Sequence, residues 1–426
     1  MIEMKDSGIS FIGMIPSDWN VTRNKNVFSC TKELVGTASS ETQLLSLTTK
    51  GIKEKDINNP EGKLPESFDT YQFVKKNDMV MCLFDLDVSA VFSGLSPYDG
   101  MISPAYRVLH CKNNIIPKFA DYWFRYISDG RKFNHYAKNI RYTLNYEDFS
   151  TLPIVQPPID RQCRIADYLD EKCSKIDAII EKQQTVIEKL KAYKLSVITE
   201  AVTKGLNPDV KMKDSGIKWV DSIPSKWENR KMLSILSMRV VDGPHESPEL
   251  FDEGIPYISA TAVVNGKIDF SLMRGYISSE YCDECDKRYK PKQGDILVIK
   301  LGASTGKVAM VETNDRFNIW VPLAAVRCNE EAFPRFVYYA FQSDYFLRQM
   351  ELSWTFGTQQ TLGLKTIEQL RILVPPISEQ GEISTYLDIK CSAIDNVIAH
   401  KEAIIEKLTS YKKSLIYEVV TGKKEI

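Results

Sequence analysis

The chain has 426 residues, of which 43% are hydrophobic and 26% are charged, a composition typical of folded globular proteins. Its formal net charge is −1, so the chain as a whole lacks the strong positive charge of many nucleic-acid-binding domains. No run of about 18 apolar residues predicts a membrane span, no signal-peptide pattern opens the chain, and nine scattered cysteines predict reduced thiols in the cytoplasm.

The sequence contains a large internal duplication. The string MKDSGI begins at Met4 and again at Met212, and IPS-x-W follows each copy. A longer echo joins residues 157–203 with residues 375–421, which align without a gap and share more than half of their positions. Self-similarity on this scale predicts two copies of one unit, each large enough to have its own core.

The two segments that precede these echoes, about 10–156 and 217–374, have the short apolar runs and turns of α/β domains. Met79–Leu83 and Ile296–Ile299 have strand length, and each follows a turn-like dipeptide, Asn-Asp or Gly-Asp. Pro117 and Pro334 each precede an aromatic-rich stretch that is typical of a buried helix.

Long helices are predicted from Asp160 to about Thr203 and from Glu379 to about Thr421. Apolar residues recur there at steps of three, four or seven, which indicates a coiled-coil seam, and the simplest arrangement is an antiparallel pair. Alternatively, each helix covers only its own domain. The predicted seam consists of Ile165, Leu169, Ile176, Ile180, Ile187, Leu190, Val197 and Ala201, and of Ile383, Leu387, Ile394, Ile398, Ile405, Leu408, Leu415 and Val419.

The duplicated motifs carry a family resemblance. The repeated MKDSGI…IP-x-W, the segment LPIVQPPIDRQCRIADYLDEKCSKID and its partner RILVPPISEQGEISTYLDIKCSAID together resemble the specificity subunits of type I restriction–modification systems. A Pro-Pro pair before one helix is common, whereas the ordered set of globular segment and helix, in duplicate over the whole chain, is specific.

The resemblance implies an architecture of two α/β (α+β) target recognition domains, related by a pseudo-two-fold, and two long helices that form an antiparallel coiled coil. The recognition domains are expected at residues 1–156 and 207–374. The helical spacer regions are expected at residues 157–206 and 375–426.

The resemblance also implies a non-catalytic subunit that recognises a bipartite, asymmetric target in double-stranded DNA. Its expected partners are two methyltransferase (modification) subunits and, through the complex, restriction and translocase subunits; no membrane partner is expected.

Motifs of enzyme chemistry are weak. The stretch from Gly302 to Lys307 is like a phosphate-binding loop, but three residues instead of four separate its glycines. Val308 replaces the Ser or Thr that holds magnesium, so a β-hairpin is favoured. Cys282-x-x-Cys285 has no second pair at zinc spacing. We therefore expect no cofactor and no metal.

Direct recognition of bases needs polar side chains on loops, with Lys and Arg for phosphates. In the second unit three segments qualify: the Asp-Gly-Pro-His loop, the Gly302 turn and a Thr-Gln-Gln loop that resembles one in the family. The residues predicted to contact DNA there are His245, Ser304, Thr305, Lys307, Thr358, Gln359 and Gln360.

The first unit has less distinct equivalents. A more basic loop takes the place of the Thr-Gln-Gln loop, and a second contact is expected near the Thr-Thr-Lys-Gly segment. The predicted residues are Thr49, Lys50, Lys53, Lys138, Asn139, Arg141, Tyr142 and Thr143. For any one of these residues, a solvated polar loop without a DNA contact is an equally open interpretation. Because the loops differ, two different half-sites are expected.

Two other functions stay open at this point. A stand-alone methyltransferase or nuclease with its own recognition domains would need a cofactor loop or a metal-carboxylate cluster, and binding of S-adenosylmethionine by the purified chain would reveal it. A coiled-coil scaffold that does not bind DNA would show no salt-dependent DNA shift with its partner.

Overall fold

A computed structural model describes residues 3–49, 51–57, 65–86, 92–136, 142–356 and 359–426. The chain forms two compact units. The first comprises the chain up to Gln183 together with Glu402–Ile426, and the second comprises Gln184–Lys401. Each unit thus contains part of both long helices, and the assignment of recognition domains to residues 1–156 and 207–374 stays a prediction.

Helices account for the longest elements. In the described residues they are α1 (Asn24–Val27), α2 (Pro117–Asp129), α3 (Tyr146–Thr151), α4 (Ile159–Lys204), α5 (Ser279–Arg288), α6 (Pro334–Gln342), α7 (Asp344–Leu352), α8 (Leu364–Gln369) and α9 (Ile377–Val420). Helices α2 and α6 begin at a proline, as predicted, because the first helical position needs no N–H donor. None of the helices in the described ranges is long and apolar enough to cross a membrane.

The long helices α4 and α9 confirm the predicted heptad pattern. Each begins directly after a Pro-Pro pair, and every predicted seam position is buried or half-buried. In the first unit the two helices run antiparallel, because Asp177 contacts Lys412 (2.6 Å) while Arg164, further towards the start of α4, donates to the carbonyl oxygen of Ile426 (2.7 Å).

The same pairing occurs in the second unit with the two helices exchanged. Lys194 of α4 contacts Asp395 of α9 at 2.7 Å. Further along α4, Val202 shares a hydrophobic core with Ile383 and Leu387 from the first turns of α9, so the direction is again antiparallel. Each helix segment therefore packs both on its partner helix and on the core of its unit, rather than covering one domain alone.

The first unit contains a four-stranded antiparallel sheet in the order β4-β11-β8-β9. Aromatic residues of α2 pack with residues of this sheet, α4 and α9 in one core. The strands of this unit are β1 (Met4–Asp6), β2 (Met14–Pro16), β3 (Asn20–Arg23), β4 (Phe28–Cys30), β5 (Leu45–Thr48), β6 (Gly51–Glu54), β7 (Gln72–Val74), β8 (Met79–Met81), β9 (Ser93–Leu95), β10 (Gly100–Ile102), β11 (Arg107–Cys111) and β12 (Pro153–Gln156).

The second unit has a matching antiparallel sheet in the order β16-β24-β21-β22, and β17 adds a parallel contact with β23. Its strands are β13 (Met212–Ile217), β14 (Val220–Pro224), β15 (Glu228–Lys231), β16 (Val241–Asp242), β17 (Ile255–Ile258), β18 (Val263–Val264), β19 (Lys267–Ile268), β20 (Gly275–Ile277), β21 (Ile296–Ile299), β22 (Val308–Met310), β23 (Asn318–Ile319), β24 (Leu323–Val326), β25 (Thr355–Phe356), β26 (Gln360–Thr361) and β27 (Arg371–Val374). The hairpin predicted around Gly302 is confirmed as the β21–β22 turn.

A buried glutamine attaches the first turn of each long helix to its unit. Gln162 accepts a hydrogen bond from the backbone N–H of Ile116 through Oε1, and Gln380 accepts one from Phe333, both at 2.8 Å. The Nε2 of each glutamine donates to the first proline of its own Pro-Pro pair, at 2.8 and 2.9 Å. Both polar ends of each amide are satisfied, so the direction of the helix start is fixed.

A second duplicated contact lies about two turns further along each long helix. In the first unit Tyr122 of α2 donates to Asp170 of α4 at 2.8 Å, and in the second unit Tyr339 of α6 donates to Asp388 of α9 at 2.6 Å. A basic residue one turn earlier on α2 or α6 contacts the same carboxylate. The two units therefore use one set of contacts to hold a long helix.

The central strands β8 and β21 also begin alike. Asp78 and Asp295 are buried just before them. Asp78 pairs with His110 of β11 (2.6 Å), and Asp295 pairs with Arg327, the residue directly after β24 (2.7 Å). Asn77-Asp78 and Gly294-Asp295, which correspond only weakly in sequence, therefore occupy equivalent positions in the two units.

We predict that replacing Gln380 by alanine loosens the start of α9. The change leaves the N–H of Phe333 and two carbonyl groups without their partner, a loss of about 1–3 kcal/mol of local stability. Hydrogen exchange should show faster exchange of the Phe333 amide.

The matched control is Gln369→Ala, at an exposed position of α8 in the same unit. Exposed substitutions of this kind typically change the free energy of unfolding by no more than about 0.5 kcal/mol. Equal protection of Phe333 in wild type, Gln380→Ala and Gln369→Ala would show that the buried amide does not hold the helix start.

Candidate nucleic-acid interface

The three polar loops predicted in the second unit lie at one end of its four-stranded sheet. Strands β16 and β21 end there and β24 begins there, because Asp242 pairs with Ala324 and Ile299 pairs with Leu323 in antiparallel register. The loop after β16 contains His245, and the turn after β21 contains Ser304, Thr305 and Lys307, so distant parts of the sequence meet at this edge.

The turn after β21 is joined to the β25–β26 hairpin by backbone hydrogen bonds. The N–H of Gly302 donates to Gln360 at 3.0 Å, and the N–H of Leu362 donates to Lys300 at 2.9 Å. The hydroxyl of Thr305 donates to the carbonyl oxygen of Gly302 at 2.7 Å and lies 3.3 Å from that of Gln360. The buried Thr305 thus holds the turn against the hairpin, which places the second and third predicted loops side by side.

The loop after β16 is positioned by close packing on β23 and on the residue after it. At Gly243 a Cβ atom would overlap the carbonyl oxygen of Ile319, so only glycine fits there. The indole Nε1 of Trp320 donates to the carbonyl oxygen of Glu246 at 3.1 Å. The guanidinium of Arg274 lies 3.3 Å from the centre of the Trp320 ring, a cation–π contact on the same side.

The first and second loops meet through a buried carboxylate. Asp242, at the end of β16, lies 3.0 Å from the Nζ of Lys300, 3.1 Å from the Nε2 of His245, and in contact with Arg288 at the end of α5. These four residues form the Asp242 cluster. It contains one carboxylate, two permanent cations and a histidine, so its net charge is positive.

The electrostatics of the Asp242 cluster favour an ionised carboxylate. Burial by itself raises the pKa of Asp242, but the hydrogen bond and charge of Lys300, together with Arg288 and His245, outweigh it and lower the pKa below its ordinary value. Asp242 therefore carries its negative charge at neutral pH and contacts basic side chains from three elements.

The predicted DNA-contacting residues of the second unit differ in exposure. The side chain of His245 is 68% exposed, and Lys307 and Gln359 are also exposed. Ser304 and Gln360 are half-buried, and Thr305 is buried with its hydroxyl bonded within the turn. Thr358 lies outside the described residues. A DNA contact by any of these side chains stays a prediction.

In the first unit the β5–β6 hairpin carries one of the two predicted contacts. Thr49 is exposed at the turn and Lys53 is exposed on β6, where it pairs with Ser46. The hairpin buries Leu45 and Ile52 in a small hydrophobic core with residues of β7, β8, β10 and β11. Lys50 lies outside the described residues.

The second predicted loop of the first unit is described only in part. Lys138, Asn139 and Arg141 lie outside the described residues. Tyr142 is 38% exposed in a left-handed backbone conformation (φ 43°), and Thr143 is half-buried. The next residue, Leu144, donates its backbone N–H to Leu83 at 2.8 Å, as Leu362 does to Lys300 in the second unit. Leu144, which follows the predicted loop, therefore corresponds in position to Leu362, and the equivalence of the two loops stays a prediction.

Sequence reasoning missed three members of the Asp242 cluster. Asp242 is the first residue of the Asp-Gly-Pro-His motif. Lys300 directly follows an apolar strand, and a cation at a strand end is a signal that the sequence does contain. Arg288 gave no signal, because its role arises only when α5 packs beside β16. In the first unit Leu83 occupies the place of Lys300, so the two units differ at this point.

The Cys282-x-x-Cys285 pair is part of a helix rather than a metal loop. Both residues lie on α5 and are buried. Burial raises the pKa of Cys285 to about 11, helped by the neighbouring Cys282. No group of three or more His, Cys, Asp or Glu within the described ranges could hold a metal ion.

Comparison with known proteins finds one matching family model and several similar proteins. Residues 224–410 match the model of the type I restriction modification DNA specificity domain. Residues 224–410 are similar to this domain, and the chain is similar to the specificity subunits of type I restriction enzymes. The resemblance found in the sequence is thereby confirmed. The matched relatives are specificity subunits, in agreement with the prediction of a recognition subunit rather than the catalytic one.

Among the curated relatives, the specificity subunit of the type I restriction enzyme EcoBI from Escherichia coli is 24% identical over 277 residues. That match covers 62% of this chain and 57% of the relative, so it spans little more than half of the relative's length. The MjaVIII specificity subunit from Methanocaldococcus jannaschii is 22% identical over 364 residues, which is 82% of this chain and 80% of that one.

A similar solved structure confirms the predicted fold class. It comes from work on complex assembly and conformational transition of the type I R-M system. The structural alignment covers 96% of this chain and 99% of the solved chain, with a TM-score of 0.67 and 14% sequence identity. At this identity the similarity establishes the fold, two mixed α/β units with two long helices, and not the DNA sequence recognised.

We predict that the thiols of α5 react slowly while Cys163 reacts quickly. Alkylation needs an accessible thiolate, and the raised pKa leaves Cys285 protonated until the pH approaches about 11, whereas Cys163 is exposed on α4. Iodoacetamide labelling at pH 8, followed by peptide mass spectrometry, should modify Cys163 first and Cys285 only after denaturation. Equal labelling of both in the folded protein would contradict the packing of α5.

Proposed function

We propose that this chain is the DNA-specificity subunit of a type I restriction–modification complex and recognises a bipartite, asymmetric target in duplex DNA. Each unit is proposed to contact one half of the target through the polar loops at one end of its four-stranded sheet. The cytoplasm, where such DNA is found, is the proposed location.

The observation that carries this proposal is the contrast between what the two units share and what they do not. Both units hold their long helices with the same glutamine and the same tyrosine–aspartate contact. At the loop edge they differ: the second unit has the charged Asp242 cluster, whereas Leu83 takes the place of Lys300 in the first. Identical frames with different loops suit two different half-sites.

The chemistry of the second unit's loops suits duplex DNA. Gln359 and Gln360 have carboxamides that can donate and accept at the edge of adenine. Lys307 and the net positive Asp242 cluster can contact phosphates, whose neutralisation contributes most of the sequence-independent affinity for DNA. This local positive charge compensates for the chain's net charge of −1.

The test of the proposed function is the methylation pattern of genomic DNA. The gene is expressed with its modification subunits, and single-molecule sequencing maps methylated bases with and without the gene. We expect a new target of two unlike blocks separated by a fixed number of unspecified bases. A palindromic target, or no change in the pattern when the gene is removed, would count against the proposal.

Docking of two modification subunits is proposed on the outer face of the helix pair. In the first unit Ile179 and Tyr411 are exposed, within two residues of the Asp177–Lys412 ion pair. In the second unit their equivalents Val397 and Tyr193 are exposed in the same way. Exposed apolar side chains that recur at equivalent positions indicate a binding surface present twice, which suits two copies of one partner.

We predict that Tyr193→Glu or Tyr411→Glu alone leaves a complex with one modification subunit, and that the double variant binds none. A buried carboxylate opposite an apolar partner surface costs several kcal/mol, about enough to dissociate a micromolar contact. Native mass spectrometry of the purified complexes gives the stoichiometry.

Leu352→Glu is the matched control, because Leu352 is 73% exposed on α7 and lies outside the long helices. It should retain two modification subunits. Retention of both subunits by the Tyr193 and Tyr411 double variant would place the docking surface elsewhere.

A further inference from the structure

The Asp242 cluster has the properties of a positioning device rather than of a simple surface salt bridge. Asp242 is buried (2% exposed) and lies on the strand that leads into the His245 loop. Its two oxygens contact side chains from three different elements: the loop itself, the end of α5 and the turn after β21. A carboxylate with so many partners fixes the relative position of those elements.

The three basic side chains of the cluster differ in their exposure to solvent. The side chain of Lys300 is only 10% exposed, so its charge is used by Asp242. Arg288 and His245 are 49% and 68% exposed, so parts of both side chains remain open to a ligand. Lys300 and Asp242 neutralise each other, while Arg288 and His245 keep N–H groups that can donate to a ligand. These donors form a site for an anionic oxygen, which in DNA is a backbone phosphate oxygen.

We propose that Asp242 is a positioning residue for DNA recognition by the second unit, which holds Arg288 and His245 against a backbone phosphate and thereby places the neighbouring loops over the base edges. This inference rests on the proposed function. It adds a residue that does not touch DNA itself but decides how well the second half-site is distinguished from other sequences.

We expect Asp242→Asn to lower the affinity for the specific target but not the affinity for non-specific DNA. Without the carboxylate, Lys300, Arg288 and His245 lose their common partner, so specific affinity falls by about ten- to a hundredfold, the effect of one or two wrong base pairs. The cluster also gains one unit of positive charge, so non-specific affinity stays equal or rises. Partial unfolding would lower both affinities, and a purely electrostatic effect would raise both.

The experiment uses the full chain in complex with its modification subunits. Equilibrium binding is measured on a duplex with the target mapped by methylation and on a duplex in which the second half-site is scrambled. Each is measured over a range of salt concentrations. Failure of the wild-type complex to distinguish the two duplexes would contradict the proposed function itself. Normal discrimination by wild type together with unchanged discrimination by Asp242→Asn would overturn only the present inference.

Asp295→Asn is the matched control. Asp295 is equally buried and ion-paired, with Arg327, but it lies at the opposite end of β21 from the loops. We expect the same ratio of specific to non-specific affinity as in wild type. A loss of discrimination equal to that of Asp242→Asn would show a general weakening of the sheet and overturn the inference.

A second variant, Arg288→Gln, tests the phosphate contact. Removal of one phosphate contact lowers the slope of log affinity against log salt by about one, for specific and non-specific DNA alike. An unchanged slope would show that Arg288 does not face a phosphate, and would remove that part of the proposal.

Discussion

The structure depends on the way each long helix is fixed at its first turn. A continuous helix of 46 or 44 residues transmits any error in its starting direction along its whole length. Gln162 and Gln380 prevent this error because both ends of each buried amide are hydrogen-bonded, one to the body of the unit and one to the Pro-Pro pair. A helix attached only by apolar contacts could slide or rotate, whereas a satisfied amide accepts one geometry.

This fixed frame explains how the units can differ elsewhere without loss of the fold. The buried aspartate before the central strand, the tyrosine contact to the long helix and the ion pair between the helices all recur. The loop edge is under no such restraint, so it carries Leu83 in one unit and Lys300 with Asp242 in the other.

The sequence predicted the frame well and the interface only coarsely. Sixteen seam positions repeat at helical spacing, and the Pro-Pro pairs mark the helix starts, so α4 and α9 follow from local patterns. The correspondence of Asp78 with Asp295 was visible for the same reason. The Asp242 cluster was not, because Arg288, Lys300 and His245 meet only in the folded sheet, where the end of α5 and the turn after β21 reach the end of β16. No periodicity records a contact between distant residues.

The central claim is that one repeated frame holds two different recognition units, and the most direct measurement is the target of a symmetric chimaera. In that chain residues 218–374 are replaced by a second copy of residues 10–156, and the methylated sites are mapped in cells that also express the modification subunits. The account predicts a palindromic target built from the half-site of the first unit. A chimaera that assembles with its partners yet methylates the original asymmetric target would contradict the account.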